Sequence, residues 1–313
     1  VLIDLHTHSR HSDGTQSPAE LVREAARGGL NVLALTDHDV STGWLEAGTQ
    51  AQEVGITLIP GIEISCSRRG TSVHLLGYLL DPDHPQLSGE LATAREHRVH
   101  RIKVMADRLE SAGYPVTFRT VVDQAGEGAT LGRPHLADTL VAAGRFPDRT
   151  AAFGAVLHRS SPFYVSHYAP DPVRAVELVR AAGGVAVMAH PFAGARGAIV
   201  GDEVIEEMVA VGLDGLEVDH RDHPPPAIVR AEALCRRFGL LRTGSSDYHG
   251  TGKPNRLGEH LTTPEVLDEI IARGTGALPM GAPLKHRGSA RSDAVTPAPS
   301  GLPSRSDEPE SSR

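Results

Sequence analysis

The sequence predicts an α/β fold built on buried parallel strands. Three observations predict it. Short, continuously apolar runs such as Val32-Leu33-Ala34-Leu35 and Val185-Ala186-Val187-Met188-Ala189 suit strands covered on both faces. Capped amphipathic helices alternate with these runs, and histidines and carboxylates gather where the runs end. The bulk numbers agree: 313 residues, 40% hydrophobic and 22% charged, is an ordinary globular composition. A net charge of −8 argues against a grip on long duplex nucleic acid, yet leaves nucleotides and short oligonucleotides open as partners. Cys66 and Cys235 are too few for a disulfide framework, and no apolar run approaches the ~20 residues needed to span a bilayer. The opening residues read as a strand rather than a leader, so the expected location is the cytoplasm.

Taken in order, Val1-Leu2-Ile3 is a strand that runs into His6-Thr7-His8. Side chains alternate along a strand, so the two imidazoles share a face. Ser17-Pro18-Ala19-Glu20 is a helix start with a capping box, and Gly28-Gly29 stops that helix. Val32 to Leu35 follows as a strand ending in Thr36-Asp37-His38-Asp39, then a helix over 43–54 and a strand through Thr57-Leu58-Ile59. Pro60-Gly61 is read as a break before Ile62-Glu63-Ile64-Ser65, and residues 72–80 as a strand containing His74. A helical insertion is expected over 82–165, and its long charged stretch at 90–112 has Leu91, Ile102, Met105 and Leu109 as apolar anchors. His97 and His100 on that stretch read as solvated, and Trp44 as packing on its own helix. Alternation resumes at Asp171-Pro172 and passes the strand ending in His190-Pro191. It ends with a strand opening into Ser246-Asp247-Tyr248-His249 and a last helix from Thr263-Pro264 to Gly274. Glu217, Asp219, His220 and His223 read as a polar loop rather than as pocket lining. The Ser-, Pro- and Arg-rich residues 284–313 read as a disordered tail, which leaves 1–81 and 166–283 as the main domain.

The strand ends carry the chemistry. Strand C-termini converge on one rim in parallel α/β folds, so His6, His8, His38, Glu63, His74, His190, Asp247 and His249 are brought together, with Asp13 in the turn after the first strand. Each alone reads equally well as a polar residue at a loop mouth. Six histidines and three carboxylates at one rim exceed the needs of a single ion, so a cluster of two or three divalent ions is expected. Mixed imidazole and carboxylate donors suit Mn foremost, with Fe, Zn or Mg as alternatives. Two ions about 3.5–4 Å apart can share a hydroxide of near-neutral pKa and neutralise a phosphoryl group under in-line attack.

The strings DLHTHSRHSDG, LTDHD, PGIEIS, AHP and SSDYHG, in this order, resemble the successive motifs of the PHP (polymerase and histidinol phosphatase) family. The resemblance runs from Val1 to roughly His260, apart from the insertion. It implies a distorted (β/α)7 TIM-like barrel with a trinuclear site. One ion would take His6, His8, Glu63 and Asp247, a second Asp13, His38 and His249, and a third Glu63, His74 and His190. Asp37 and Asp39 flank His38 and are candidates for moving a proton or orienting an imidazole.

The insertion offers Gly132-Arg133-Pro134-His135 and His158-Arg159-Ser160-Ser161 ahead of Tyr164-Val165. Arginine is a natural fork for a phosphate held while another is cleaved, so Arg133, His135 and Arg159 are the candidate substrate contacts. Their placement resembles the PHP branch that acts on nucleoside 3′,5′-bisphosphates and short 5′-phosphorylated oligoribonucleotides. His158-Arg159-Ser160-Ser161 stands where that branch commonly has Gly-Lys-type residues. The expected activity is a metal-dependent phosphoesterase acting on such nucleotides. The alternatives are a histidinol-phosphate phosphatase and a non-catalytic, metal-stabilised scaffold.

Overall fold

The computed structural model of the chain describes residues 1–284; residues 285–313, the bulk of the expected disordered tail, lie outside the described residues. The chain opens with β1 (Ile3–Asp4), α1 (Pro18–Arg27), β2 (Val32–Leu35), α2 (Trp44–Val54), β3 (Thr57–Arg68) and β4 (Thr71–Tyr78). A helical segment follows: α3 (Pro85–Ser111), α4 (Phe118–Ala125), α5 (Arg133–Ala142) and α6 (Arg149–Ala152), the last continuing into a π-helical turn. Alternation then resumes with α7 (Pro172–Ala181), β5 (Val185–Ala189), α8 (Asp202–Ala210), β6 (Gly215–Asp219), α9 (Pro225–Phe238), β7 (Leu241–Gly244), α10 (Pro264–Arg273) and β8 (Met280–Gly281).

Local chemistry explains many boundaries. Ser17 caps α1 through its hydroxyl, and the Glu20 carboxylate returns the bond to the Ser17 N–H at 2.8 Å. Thr117, Asp171 and Thr263 cap α4, α7 and α10 in the same way, each satisfying a backbone donor that the first turn leaves free. α2 and α9 stop at Gly55 and Gly239, both left-handed, where a side chain would be strained.

β1 to β7 are hydrogen-bonded neighbours in sequence order. Beyond the ends of β1 and β7, Thr7 bridges to Tyr248, so the seven strands nearly close into a barrel of the distorted TIM-like kind. Two expectations fail here. β4 runs antiparallel to both β3 and β5, so the sheet is not uniformly parallel. β3 and β4 are joined directly as a hairpin, with no crossover helix that could return the chain parallel. Pro60-Gly61 does not break β3 either. At that point β3 leaves its parallel pairing with β2 and takes up β4, so the missing proline N–H falls at a change of partner. Gly61 is required there, because a Cβ would sit 2.9 Å from Thr36 Cγ2 and 3.2 Å from Tyr78 Cδ1.

The barrel core joins α1, α2 and the strands through Leu21, Leu33, Leu58, Leu75, Met188 and Leu216 and their neighbours, all buried. Each such side chain contributes roughly 1.5–3 kcal/mol from burial. Tyr78 lies wholly inside and donates its hydroxyl to the Leu5 carbonyl at 2.9 Å, tying β4 to the strand that precedes His6. The helical segment has a separate apolar cluster around Ile102, Met105, Leu109, Val121, Leu136 and Leu140. No helix among the described residues is long and apolar enough to cross a membrane.

Candidate metal centre

His6 and His8 project from the end of β1 onto one face, and their Nε2 atoms lie 3.1 Å apart. Glu63 Oε2, from β3, is 3.2 Å from the first and 3.1 Å from the second. Asp247 Oδ1, from the loop after β7, is 3.5 Å from each. These four donors form one compact group. His8, Asp13, His38 and His249 form a second, in which Asp13 Oδ1 is 3.1 Å from His249 Nε2 and 3.9 Å from His38 Nε2. A third joins His38, Glu63 and His74, with Glu63 Oε2 3.2 Å from His38 Nδ1 and Glu63 Oε1 2.7 Å from His74 Nδ1. His190 approaches the same oxygen, its Nε2 3.2 Å from Glu63 Oε1. All nine residues picked at the strand ends therefore lie in one cluster. Glu63 is the hub, and His8 belongs to two groups rather than one.

The donor set fits divalent ions. Asp13 Oδ1, His38 Nδ1 and His249 Nε2 are buried without a hydrogen-bond partner, and each such atom costs about 1–3 kcal/mol unless something satisfies it. Imidazole nitrogens and carboxylate oxygens converging in this way are what a cation satisfies together. The cluster is a buried His/Asp/Glu site of multi-metal type.

Electrostatics divides the imidazoles. Burial opposes charge on His6, yet Glu63, Glu217 and Asp247 raise its pKa well above the ordinary value. His8 is likewise raised to about 9, by hydrogen bonds to Asp247 and Glu63 against the effect of burial. Burial wins at His38, pushed well below its usual range, and at His249, lowered to about 4 by burial and by His8. Burial alone would raise Asp13, but His249 and His38 hold it well below the ordinary carboxylate range. A cation needs these imidazoles neutral at the ligating nitrogen, so its binding competes with the protonation that the neighbouring carboxylates favour at His6 and His8.

Outer partners orient the donors. Glu217 on β6 is fully buried, accepts from His6 Nδ1 at 3.1 Å, and receives the His190 N–H at 2.8 Å. Reading it as part of a polar loop was wrong: its position in the strand turns it inward, and His220 and His223 are buried with it. Asp37 binds the Ser12 hydroxyl at 2.6 Å, and the Ser12 oxygen lies 3.3 Å from His8 Nδ1, so this carboxylate supports His8 through the serine. Asp39 pairs with Arg98 at 2.9 Å and accepts the Ser65 N–H at 2.9 Å. The outer oxygen of Asp247 is 2.6 Å from Arg196 Nη2 and 3.0 Å from Lys253 Nζ, two cations that no sequence motif singled out.

Beside this cluster stands a group of arginines. Arg101, Arg133 and Arg159 place their guanidinium carbons 5.1, 5.5 and 5.7 Å from the centre of the Tyr164 ring. Arg98 adjoins them and meets Asp39, next to His38 in the loop after β2, and Ser65 on β3, which pairs with His74 across the hairpin. Arg101 is buried and has neither an acidic partner nor a hydrogen bond among the described residues. Burial and the neighbouring Arg133 lower its pKa to about 9. Arg133 is also lowered, by burial first and then by repulsion from Arg159 and Arg98. Sequence reasoning missed Arg98 and Arg101 although a signal existed. Leu91, Ala94, Arg98, Arg101 and Met105 are spaced by three and four, so the two arginines continue the buried stripe of α3. His135 points elsewhere, its Nε2 2.8 Å from the Ser12 carbonyl.

A nearly closed barrel with a buried multi-metal cluster at one rim defines a class of metal-dependent hydrolases. A family model described as PHP domain matches residues 4–112. The 3′,5′-nucleoside bisphosphate phosphatase of Chromobacterium violaceum is 35% identical over 269 residues, 86% of this chain and 94% of its own. The 5′-3′ exoribonuclease of Haemophilus influenzae is 34% identical over 271 residues, 86% of this chain and 96% of its own. A crystal structure from Bifidobacterium adolescentis, whose name carries a metal-dependent phosphoesterase assignment, superposes with a TM-score of 0.85 at 41% identity. It covers 87% of this chain and 96% of that one. The chain belongs to the PHP family of metal-dependent phosphoesterases.

Proposed function

We propose that this chain hydrolyses phosphoesters of nucleotides that carry a second phosphate, either nucleoside 3′,5′-bisphosphates or short 5′-phosphorylated oligoribonucleotides. The observation that carries this reading is the unpaired Arg101 among Arg98, Arg133 and Arg159, beside the metal cluster. Of the four, Arg98 has Asp39, Arg133 is half-buried and Arg159 is exposed, whereas Arg101 is buried with no acid, which is unfavourable unless an anion completes it. A phosphate offers the acceptor geometry that several guanidinium groups share. The two curated relatives described above are named for these two substrate kinds, which supports the same reading.

His6, His8, Glu63 and Asp247 would hold one ion, with His8, Asp13, His38 and His249 around a second and His38, Glu63, His74 and His190 toward a third. Ions bound there supply Lewis-acid charge to the phosphoryl oxygens and make water a stronger nucleophile. The arginine group would hold the phosphate that is not cleaved, and so fix which ester faces the cluster. Asp37 and Asp39 act in this reading as supports: their carboxylates are engaged by Ser9, Ser12 and Arg98.

The test is turnover of purified protein with manganese on four substrates: adenosine 3′,5′-bisphosphate, histidinol phosphate, and a short RNA with either a 5′-phosphate or a 5′-hydroxyl. The reading expects phosphate or nucleotide release from the first and from the 5′-phosphorylated RNA, with His8→Ala inactive but folded. Preference for histidinol phosphate, or equal rates on the two RNAs, would overturn it.

A further inference from the structure

The loop between β1 and α1 carries Asp13, and it is held from two sides. On the barrel side, Asp37 accepts from the Ser9 N–H at 2.8 Å and from the Ser9 and Ser12 hydroxyls at 2.6 Å each. On the other side, three consecutive loop carbonyls are taken by the helical segment. The His11 carbonyl accepts from Thr130 N–H at 2.9 Å, Ser12 from His135 Nε2 at 2.8 Å, and Asp13 from Arg149 Nη1 and Nη2 at 3.1 and 3.2 Å.

The two side chains in this clamp are themselves fixed. His135 Nδ1 accepts the Gly132 N–H at 3.0 Å, which leaves the ring proton on Nε2, facing Ser12. Asp138 grips Arg149 through Nε at 2.5 Å and Nη2 at 2.6 Å. Arg149 also fills the space beside Gly252, where a Cβ would lie 2.3 Å from Nη1, and the Gly252 N–H reaches the His249 carbonyl at 3.4 Å. One guanidinium therefore touches both the Asp13 loop and the turn after His249.

These are the loops whose side chains face each other without hydrogen bonds. Asp13 Oδ1 and His249 Nε2 stand 3.1 Å apart, buried, and neither makes a hydrogen bond among the described residues. The His249 ring is held from its other nitrogen, with Nδ1 2.8 Å from the Asp247 carbonyl, and the loops that present both side chains are fixed through their backbones. We infer that Arg149 and His135 are positioning residues for the ion position formed by His8, Asp13, His38 and His249, so that the helical segment builds part of the metal centre. The inference rests on the multi-metal reading of the cluster. It moves His135 from substrate contact to strut, and it gives Arg149 a role that no motif assigned. It also couples the two halves of the site, because the segment that carries Arg133 and Arg101 is anchored on the loop that presents Asp13.

The test measures manganese stoichiometry and affinity by chelator competition on stripped full-length protein, with circular dichroism as a check on folding. Arg149→Met and His135→Phe should each weaken one ion about 10- to 100-fold and leave the remaining ions as tight as before. His135→Gln, which keeps a donor toward Ser12, should recover part of the loss. At saturating manganese, KM for adenosine 3′,5′-bisphosphate should stay near the wild-type value. Unchanged stoichiometry and affinity in both variants would overturn the inference, and so would a raised KM with metal binding intact. Should Arg149→Met fail to fold, the His135 pair decides, since it leaves the Arg149–Asp138 pair in place. Wild-type protein that binds no manganese would instead overturn the multi-metal reading itself.

Discussion

Replacing Arg101 by methionine should make the protein more stable and worse at its proposed task. Arg101 is 6% exposed, lies over Tyr164, and has no acid to offset it. Its pKa is lowered to about 9 from 12.5. At neutral pH the side chain is charged in both folded and unfolded chains, so the depression measures a cost to the fold on the order of a few kcal/mol. Methionine keeps most of the volume and removes that cost. It gives up a cation–π contact worth about 0.5–2 kcal/mol, which does not cancel the gain. For a chain of this size about 1 kcal/mol moves Tm by roughly 1–2 °C, so Arg101→Met should melt a few degrees higher. The same change removes charged hydrogen bonds to a bound phosphate, worth about 1.5–3 kcal/mol, and should raise KM for adenosine 3′,5′-bisphosphate roughly 10- to 100-fold. Inorganic phosphate or sulfate should raise the wild-type Tm by mass action and move the variant much less. Differential scanning fluorimetry with and without phosphate reads the stability half, and steady-state kinetics reads the other. A variant that melts lower than wild type with an unchanged KM would refute the reasoning, since it would make Arg101 a structural residue with partners of its own.

Three further outcomes are expected. His167 is lowered to about 3 by burial and by Arg101, Arg98 and Arg133. Below pH 6.5 the unfolded chain takes up a proton that the folded chain refuses, so this stability is whole above 6.5 and is lost as pH falls toward 3. Urea midpoints at pH 7.5 and 5 should therefore converge more closely in His167→Phe than in wild type, and parallel declines would contradict this. Glu217→Gln should weaken manganese binding about 10- to 100-fold, because an amide facing His6 Nδ1 no longer fixes the tautomer that leaves Nε2 free, with chelator competition as the measurement. Leu136→Ala, a fully buried side chain in the cluster of the helical segment, should cost about 2–5 kcal/mol in urea unfolding.

What could be read from the sequence depended on how far the deciding interaction reaches along the chain. The α1 cap needs only Ser17 and Glu20, three residues apart, and its start was legible. The direction of β4 is set locally by the two-residue turn Arg69-Gly70 after β3, but that turn shows only once β3 is known to run on to Arg68, and the partner on its other side, β5, lies more than a hundred residues later. Pro60-Gly61 looked like a break because its local chemistry is that of a break; only the exchange of β2 for β4 at that point makes the strand continuous. β8 spans two residues, too short to leave a periodicity, and pairs with β3 across most of the chain. The site divides along the same line. His6, His8 and Glu63 were legible as members of a set: each alone has a bland reading at a loop mouth, but six imidazoles and three carboxylates at the ends of apolar strands do not. Arg98 and Arg101 were hidden by the opposite circumstance: arginine on a long charged helix usually faces water, so their place in the buried stripe carried no alarm. A buried arginine continuing an apolar stripe at spacings of three and four is an unfavourable choice for a helix that merely packs. Arg98 meets Asp39 there, while Arg101 meets no acid, and it is this side chain, inconspicuous in the sequence, on which the proposed phosphate contact turns.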